Sequence, residues 1–317
     1  MKRVEQLIAR SRRETENEDD CSTSGIIDQE FVDYLNDAQD QLQSAIARQH
    51  KDIFIEQADY DVVARQDAYA LPADTLLNNS VSAVFYSRTG QTRDLTRLRS
   101  STLIEKIFDD SLVEPIAYIR KTGSLVLNPT PSTSVSNGLR VFYVKKLPTL
   151  DVRRAKILTA TTLNNTITSL VADITAFFDV DSLQQENYIC TVNRDGSQTM
   201  RRIPIDNIDS VTGIITIAPG FVFVDGETIV DGDYIVSGYD ATNKSNMSDT
   251  CERYFSAYLN WKIFRRDSSS DSAEQTPELI EMQTEIVEIH KKTDDDIKFP
   301  AISDAQFIDD DDQWNFY

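Results

Sequence analysis

Histidine, cysteine and basic residues are all scarce in this chain of 317 residues, and each shortage removes a class of chemistry. His50 and His290 are the only histidines. Each closes a helical segment, where a cation answers the negative C-terminal end of the helix dipole. A catalytic histidine needs a partner and an oriented tautomer, and nothing around either residue supplies them. Three cysteines, Cys21, Cys190 and Cys251, stand far apart with no CxxC or mixed Cys/His cluster. Neither a zinc site nor a disulfide framework is indicated, and a reducing compartment is the natural inference. No Gly-x-Ser-x-Gly elbow, P-loop or Gly-x-Gly-x-x-Gly follows a strand. The opening Met1-Lys2-Arg3-Val4-Glu5-Gln6 has no apolar signal region, and no span approaches membrane length. Without a secretory signal the sequons at Asn78, Asn164, Asn243 and Asn246 carry no weight.

Lys plus Arg number 32 against 52 Asp plus Glu, a net charge of −20. That balance argues against gripping nucleic acid by phosphate neutralisation, and equally against an anionic membrane surface. It suits a protein that touches DNA without sticking to it, one that never meets DNA, or plain solubility. Among 52 acidic residues any carboxylate pair can be nominated for glycosidase chemistry, so nomination has no content. Asp225-Gly226-Glu227 and Asp231-Gly232-Asp233 come nearest to a calcium loop but lack the EF-hand spacing and downstream Glu, and hairpin turns account for them better. No catalytic, cofactor-binding or metal-binding residue is assigned.

What is present is core-forming pattern. A hydrophobic fraction of 40% suffices for one large domain or two ordinary ones. Residues 3–13 make a short basic helix with Val4, Leu7 and Ile8 as its apolar positions. Asp28–His50 follows with Phe31, Leu35, Ala38, Leu42 and Ala45 on one stripe. From Ile53 to Val144 the pattern turns to strands: Ile53–Ile55, Val81–Tyr86, Ile116–Ile119, Leu125–Leu127 and Leu139–Val144, separated by turns at Arg88–Gly90, Lys121–Gly123 and Asn128–Gly138. Residues 151–240 read as a separate β-rich unit. Its expected parts are a strand at Lys156–Leu163, a short helix at Ile167–Phe178, and an Asn193–Ser197 hairpin between Tyr188–Val192 and Thr199–Ile203. Strands at Ile214–Ile217, Phe221–Val224, Thr228–Val230 and Tyr234–Val236 follow. Ser248 is the expected cap of a third long helix with Cys251, Phe255, Tyr258, Leu259 and a snorkelling Lys262 on its stripe. Thr276 and Pro277 open a fourth, with a seam of Leu279, Met282, Ile286 and Ile289 and a basic last turn at His290-Lys291-Lys292.

Two short signals stand out: Leu35-Asn36-Asp37-Ala38-Gln39 inside the second helix, and Gln66-x-x-Tyr69-x-Leu71-Pro72-x-Asp74 after it. Pro72 biases Leu71 toward extended geometry and ends the strand. In these residues the chain resembles the head-to-tail adaptor proteins of tailed, especially short-tailed, bacteriophages, over roughly residues 1–150 and 245–293. The resemblance implies a structural virion protein at the portal–tail junction, present in the host cytoplasm during assembly. It further implies a homo-oligomeric ring, typically a dodecamer, that binds the portal protein and other tail or ring proteins and passes dsDNA through its lumen. The expected fold class is α+β. A helical bundle built from both chain ends (1–150 and 241–293) carries a β-rich central part, with an inserted β-rich domain at 151–240, where the chain departs from the family. An extended docking tail occupies 294–317.

That tail pairs Asp294–Asp296 and Asp309–Asp312 with Phe299, Phe307, Ile308, Trp314, Phe316 and Tyr317. An acidic linker ending in aromatics has the composition of a segment that orders on binding, and these six residues are the expected portal-docking set. Two other readings stand beside the ring: a carbohydrate-binding or polysaccharide-hydrolysing β-domain in 151–240, and a different tail-scaffold ring.

Overall fold

The computed structural model describes residues 1–15, 27–76, 81–88, 91–98, 114–163, 166–175, 178–222, 228–266 and 271–296. Cys21, the Asn78 and Asn164 sequons, Thr89-Gly90, the Asp225–Glu227 turn and all six tail residues from Phe299 to Tyr317 lie outside that set. The protein is mixed α+β, with helices α1 (Val4–Glu14), α2 (Asp28–Gln49), α3 (Val180–Gln185), α4 (Glu252–Arg266) and α5 (Asp271–Asp296) among many strands.

Apolar residues three and four apart fall on one helical face, and the long helices bury those faces against each other. Val4, Leu7 and Ile8 of α1, Phe31, Leu35, Ala38, Leu42 and Ile46 of α2, Phe255, Tyr258, Leu259 and Ile263 of α4, and Leu279, Met282, Ile286 and Val287 of α5 share one cluster. Each large side chain buried there is worth about 1.5–3 kcal/mol. Helix α4 runs antiparallel to α2: Arg266 bonds Glu30, Lys262 bonds Asp37, and Gln41 donates to Tyr258.

Helix boundaries differ from the sequence reading at three points. Helix α5 begins at Asp271, so Pro277 lies inside it and leaves one backbone carbonyl without its N–H. Thr276 does not start the helix; its hydroxyl accepts a hydrogen bond from Trp261 Nε1 at 3.1 Å. The helix also runs past His290 to Asp296, so its last turn is acidic rather than basic. Packing of the Leu279–Val287 face on α4 and α2 outweighs these local stop signals, as it does for most helices. Ser248 precedes a 3-10 turn (Asp249–Cys251) and makes no side-chain cap.

The first half contributes two four-stranded sheets. One has the order β1 (Ile55–Val62), β8 (Val135–Val144), β3 (Val81–Arg88), β4 (Gln91–Asp94). The other has the order β2 (Ala68–Ala70), β7 (Ser124–Asn128), β6 (Ala117–Lys121), β5 (Thr96–Leu98). Tyr69, Val84, Leu125, Leu127, Leu139 and Val141 form their common core. Ile53 and Phe54 belong to a 3-10 turn, Lys51–Phe54, and the strand starts where that reading ended it. Strand β1 is an edge strand, so its alternation is polar and charged: Asp59 takes Arg140 of β8 at 3.0 Å. β4 and β5 are edge strands too, and their residues are mostly polar.

A closed six-stranded barrel follows, in the order β10 (Ala155–Leu163), β11 (Thr166–Ala172), β14 (Ile214–Ile217), β13 (Gln198–Asp209), β12 (Tyr188–Val192), β15 (Tyr234–Ser237). The helix expected at Ile167–Phe178 is not one. Ile167, Leu170 and Ala172 point inward from a strand paired on both edges, and the β-branched residues Thr166, Ile167, Thr168 and Val171 suit that pleat. The barrel's only helix among the described residues is α3, capped by Asp179, whose Oδ1 accepts Ser182 N–H at 3.1 Å. Strand β13 extends six residues past the expected Ile203 and passes through Pro204, whose carbonyl still accepts from Ala218 N–H at 2.9 Å.

Thr228–Val230 is no strand. Val230 N–H instead donates to Asp233 Oδ2 at 3.1 Å in a turn around Gly232, which explains Asp231-Gly232-Asp233. The Asn193–Ser197 hairpin is as read: Asn193 Oδ1 accepts from Asp195 and Ser197 N–H, and Gly196 takes φ +95°. The chain enters the barrel from β9 (Thr149–Leu150) and leaves it through β16 (Ala241–Thr242), and these two strands pair in parallel.

Candidate functional site

Strand β8 hands the chain to an extended stretch, Lys145–Asp151, that lies along α2. Backbone partners reach only part of this stretch, through β16, Phe54 and Asp74, so its remaining N–H and C=O groups need side-chain partners. Asn36, Gln39 and Gln43, spaced to share a helical face, supply them. Asn36 Nδ2 donates to Leu150 O at 2.9 Å while Leu150 N–H donates back to Asn36 Oδ1 at 2.7 Å. Gln39 Nε2 donates to Pro148 O at 2.8 Å, and its Oε1 accepts from Ser245 Oγ at 2.7 Å. Gln43 Nε2 donates to Lys145 O at 2.7 Å and Oε1 accepts from Leu147 N–H at 3.2 Å. Gln39 and Gln43 are 1% and 0% exposed, so these amides work out of water, where an unmet partner is expensive. Helix α2 thereby holds the outgoing chain and, through Ser245, the returning chain. Leu35-Asn36-Asp37-Ala38-Gln39 divides into two core residues, two seam amides and one surface ion pair with Lys262 at 2.9 Å. The signal for the seam was in the sequence: amides at helical spacing beside an apolar stripe.

The second motif closes on the same stretch. Tyr69 hydroxyl accepts from Val63 N–H at 3.1 Å and donates to Gln66 O at 3.2 Å, pinning the preceding turn. Pro72 O accepts from Thr75 N–H and its hydroxyl. Asp74 O accepts Lys146 N–H at 2.6 Å, and Asp74 Oδ1 accepts the Tyr143 hydroxyl at 3.1 Å. Burial, with the Asp74 charge beside it, pushes the Tyr143 phenol well above its ordinary range and keeps it a donor. Asp74, Tyr143, Lys145 and Lys146 line one wall of a cleft of about 570 Å³, and Arg201, Arg202 and Tyr239 of the barrel side line the other. Arg202 reaches over the Tyr239 ring at 5.0 Å from a backbone at φ +60°.

A third set of bonds fixes the barrel. Arg154, buried, donates to Asp151 Oδ1 at 2.7 Å, Asp179 Oδ2 at 2.7 Å, Ser182 Oγ at 3.1 Å and Gln29 Oε1 of α2 at 2.6 Å. Desolvation opposes the charge on Arg154, but these acceptors outweigh it and hold the guanidinium protonated. Asp151 Oδ2 also accepts Ser237 N–H at 2.8 Å, which keeps its carboxylate partnered although burial pushes it upward. Asn243 Nδ2 bridges Glu5 Oε1 at 2.8 Å and Asp151 O at 2.9 Å.

The arrangement joins elements: its amides, a neutral phenol and a compensated ion pair make structural bonds, while Asn243 Oδ1 and Glu5 Oε2 are buried without a hydrogen-bond partner. His50 and His290 take part in no such network: His50 closes α2, and His290 Nδ1 sits 2.7 Å from Ile286 O. No helix among the described residues is long and apolar enough to cross a membrane. The fold and its seams thus define a structural scaffold class, a helical cluster and β portion bolted to a barrel. Residues 2–155, slightly under half of the chain, match the protein family described as SU10 adaptor protein. Both motifs and the outgoing seam lie inside that span, and the match supports a phage adaptor with a structural role. No curated protein matches the chain.

Proposed function

We propose that this chain is the subunit of a ring that joins the capsid portal to the tail of a short-tailed bacteriophage and passes the dsDNA genome through its lumen. The observation that carries the reading is the convergence of both adaptor motifs on Lys145–Asp151, within the segment similar to the SU10 adaptor family. In this reading residues 1–150 and 241–293 form the ring body, whose α1, α2, α4 and α5 pack as a bundle from both chain ends. The barrel of 151–240 is an inserted module facing outward or toward the tail, available to other tail proteins. Phe299, Phe307, Ile308, Trp314, Phe316 and Tyr317 anchor the portal. Burying each large side chain is worth about 1.5–3 kcal/mol, and a dodecamer multiplies a weak tail into firm attachment. Acidic side chains in the lumen repel phosphate, so DNA slides without counterion-release binding.

The test is co-assembly with the portal protein from the same phage, read by electron microscopy. The full chain is expected to form portal-capped rings, and the chain truncated after Asp296 to lose portal attachment. Rings that cap the portal equally well without residues 297–317 would remove the anchor assignment. Absence of any ring with portal present would remove the adaptor reading itself.

A further inference from the structure

In a protein of net charge −20, four cations gather at one corner. Arg153 Nη2 and Arg3 Nη1 both donate to the same carbonyl, Arg194 O, at 2.8 and 3.5 Å. The Arg3 and Lys244 stems pack on Gly196 of the same hairpin, close enough that a Cβ there would sit 3.1 and 3.3 Å from them. The Arg153 guanidinium lies 3.9 Å over the Tyr234 ring, and its Nε is buried with no hydrogen-bond partner. Burial works most against its protonation and the charges of Arg3 and Arg194 add to that, while the Glu5 charge and Tyr234 only partly offset them. The facing carboxylates are Glu5 and Asp195, and both are engaged with backbone: Glu5 Oε1 with Arg153 N–H, Asp195 Oδ1 with Ser197 N–H. Lys2, next to the corner, is paired with Glu252 at 2.7 Å. Four separate segments thus bring like charges together with too few acids, an arrangement that an external anion would relieve.

The chain carries a matching anion. Residues 297–317 hold Asp304 and Asp309–Asp312 against a single base, Lys298. Helices α4 and α5 form an antiparallel hairpin, as the Trp261–Thr276 and Arg253–Glu278 bonds show. Helix α5 therefore ends on the side of the α4 N-terminus, where Met1 and Lys2 pair with Asp249 and Glu252. Twenty-one residues beyond Asp296 reach at most roughly 70 Å, and tethering raises the local concentration to about the millimolar range. We propose that the Arg3–Arg153–Arg194–Lys244 corner is the docking site for the acidic run Asp309–Asp312 of the same chain in the free subunit. The inference concerns the subunit before it meets a portal and stands whether or not the tail later docks there.

Hydrogen exchange of the full chain at low salt tests it. Amides of residues 309–312 and their neighbours should be protected relative to a free peptide of the same sequence, and high salt should abolish the protection. Arg194→Glu with Lys244→Glu should reduce protection by about fivefold or more, since each exposed pair is worth roughly half a kcal/mol and the reversals add repulsion. The bonds from Arg3 and Arg153 go to the Arg194 carbonyl, so they survive a change that reverses only the side-chain charge. Exchange in β12 and β13 checks that they do. Neutralising the other side, Asp309 to Asp312 all to Asn, should give the same loss. Tail exchange at the free-peptide rate in the unaltered chain, or unchanged by either set of substitutions, would overturn the proposal. So would protection that appears only as protein concentration rises, which would assign the site to a neighbouring copy. Retention of duplex DNA that is lost in the Arg194→Glu, Lys244→Glu chain with tail exchange unaffected would reassign the corner to nucleic acid.

Discussion

Replacing Gln39 by Ala isolates the seam from the core. Gln39 lies on the buried face of α2 but touches no ligand and carries no charge, and Ala is the better helix former, so local propensity favours the substitution. What it removes is a donor to Pro148 O and an acceptor for Ser245 Oγ. Each partner stranded out of water costs about 1–3 kcal/mol, and the vacated stem adds a small cavity. A loss of roughly 3–5 kcal/mol follows, a large fraction of the 5–15 kcal/mol typical of a folded domain. Asp37→Ala, two residues away, loses only an exposed pair with Lys262 and should cost about 0.2–1 kcal/mol. Urea unfolding followed through Trp261 of α4, in a chain carrying Trp314→Phe to remove the other tryptophan, reads both. A Gln39→Ala midpoint as close to the parent as that of Asp37→Ala would refute the claim that the amides, and not the apolar stripe alone, hold the outgoing chain.

Arg154→Met should cost about 3–5 kcal/mol by leaving Asp151 buried and uncompensated, and adding Asp151→Asn should recover part of it in a urea titration. Gly213→Ala should lower the melting temperature more than Gly220→Ala. Both sit at positive φ, costing about 1–2 kcal/mol, but only at Gly213 would the new Cβ meet a carbonyl, Ala172 O, at 2.5 Å. Burial pushes the Cys190 thiol up to about 11, so iodoacetamide at neutral pH should leave it unmodified in native protein and modify it after denaturation, read by mass spectrometry. Asp179 is held below its ordinary value: burial opposes this, but the Ser182 hydroxyl and N–H and Arg154 prevail. Its stabilisation is complete above the unfolded carboxylate value of about 4 and fades as pH falls through the lower folded value. Asp179→Asn should therefore flatten the acid side of the stability–pH curve, measured by thermal melts below about pH 5.

Helices of the apolar-stripe type were legible because burial has a 3.6-residue period in Leu35, Ala38 and Leu42, and hairpins such as Asn193–Ser197 because Asp-Gly dictates its own turn. Ile167–Phe178 misled because Leu170, Ile174 and Phe177 also fit a helical spacing. A run of β-branched residues with partners on both edges decides for the strand, and those partners are far apart in sequence. Pro277 misled in the opposite way, since a first-turn signal was overridden by packing. The seam was half visible. The motif contains Asn36 and Gln39, but which backbone they satisfy depends on where Lys145–Asp151 runs, and only the fold reveals that. Arg154 could not be found from sequence, because its four partners come from segments as distant as Gln29 and Ser182.

The parallel pairing of Thr149–Leu150 with Ala241–Thr242 has an evolutionary consequence. A module hung between antiparallel strands can be trimmed back to a tight turn, leaving its host intact. Parallel strands cannot be joined that way; they need a crossover of about a dozen residues or more. The barrel therefore cannot be excised by closing its ends with a tight turn. A descendant that lost it would also have to surrender the β9–β16 pairing, with the bonds Thr149 N–H to Asp240 O and Asp151 N–H to Thr242 O, or keep a remnant long enough to bring the chain back around.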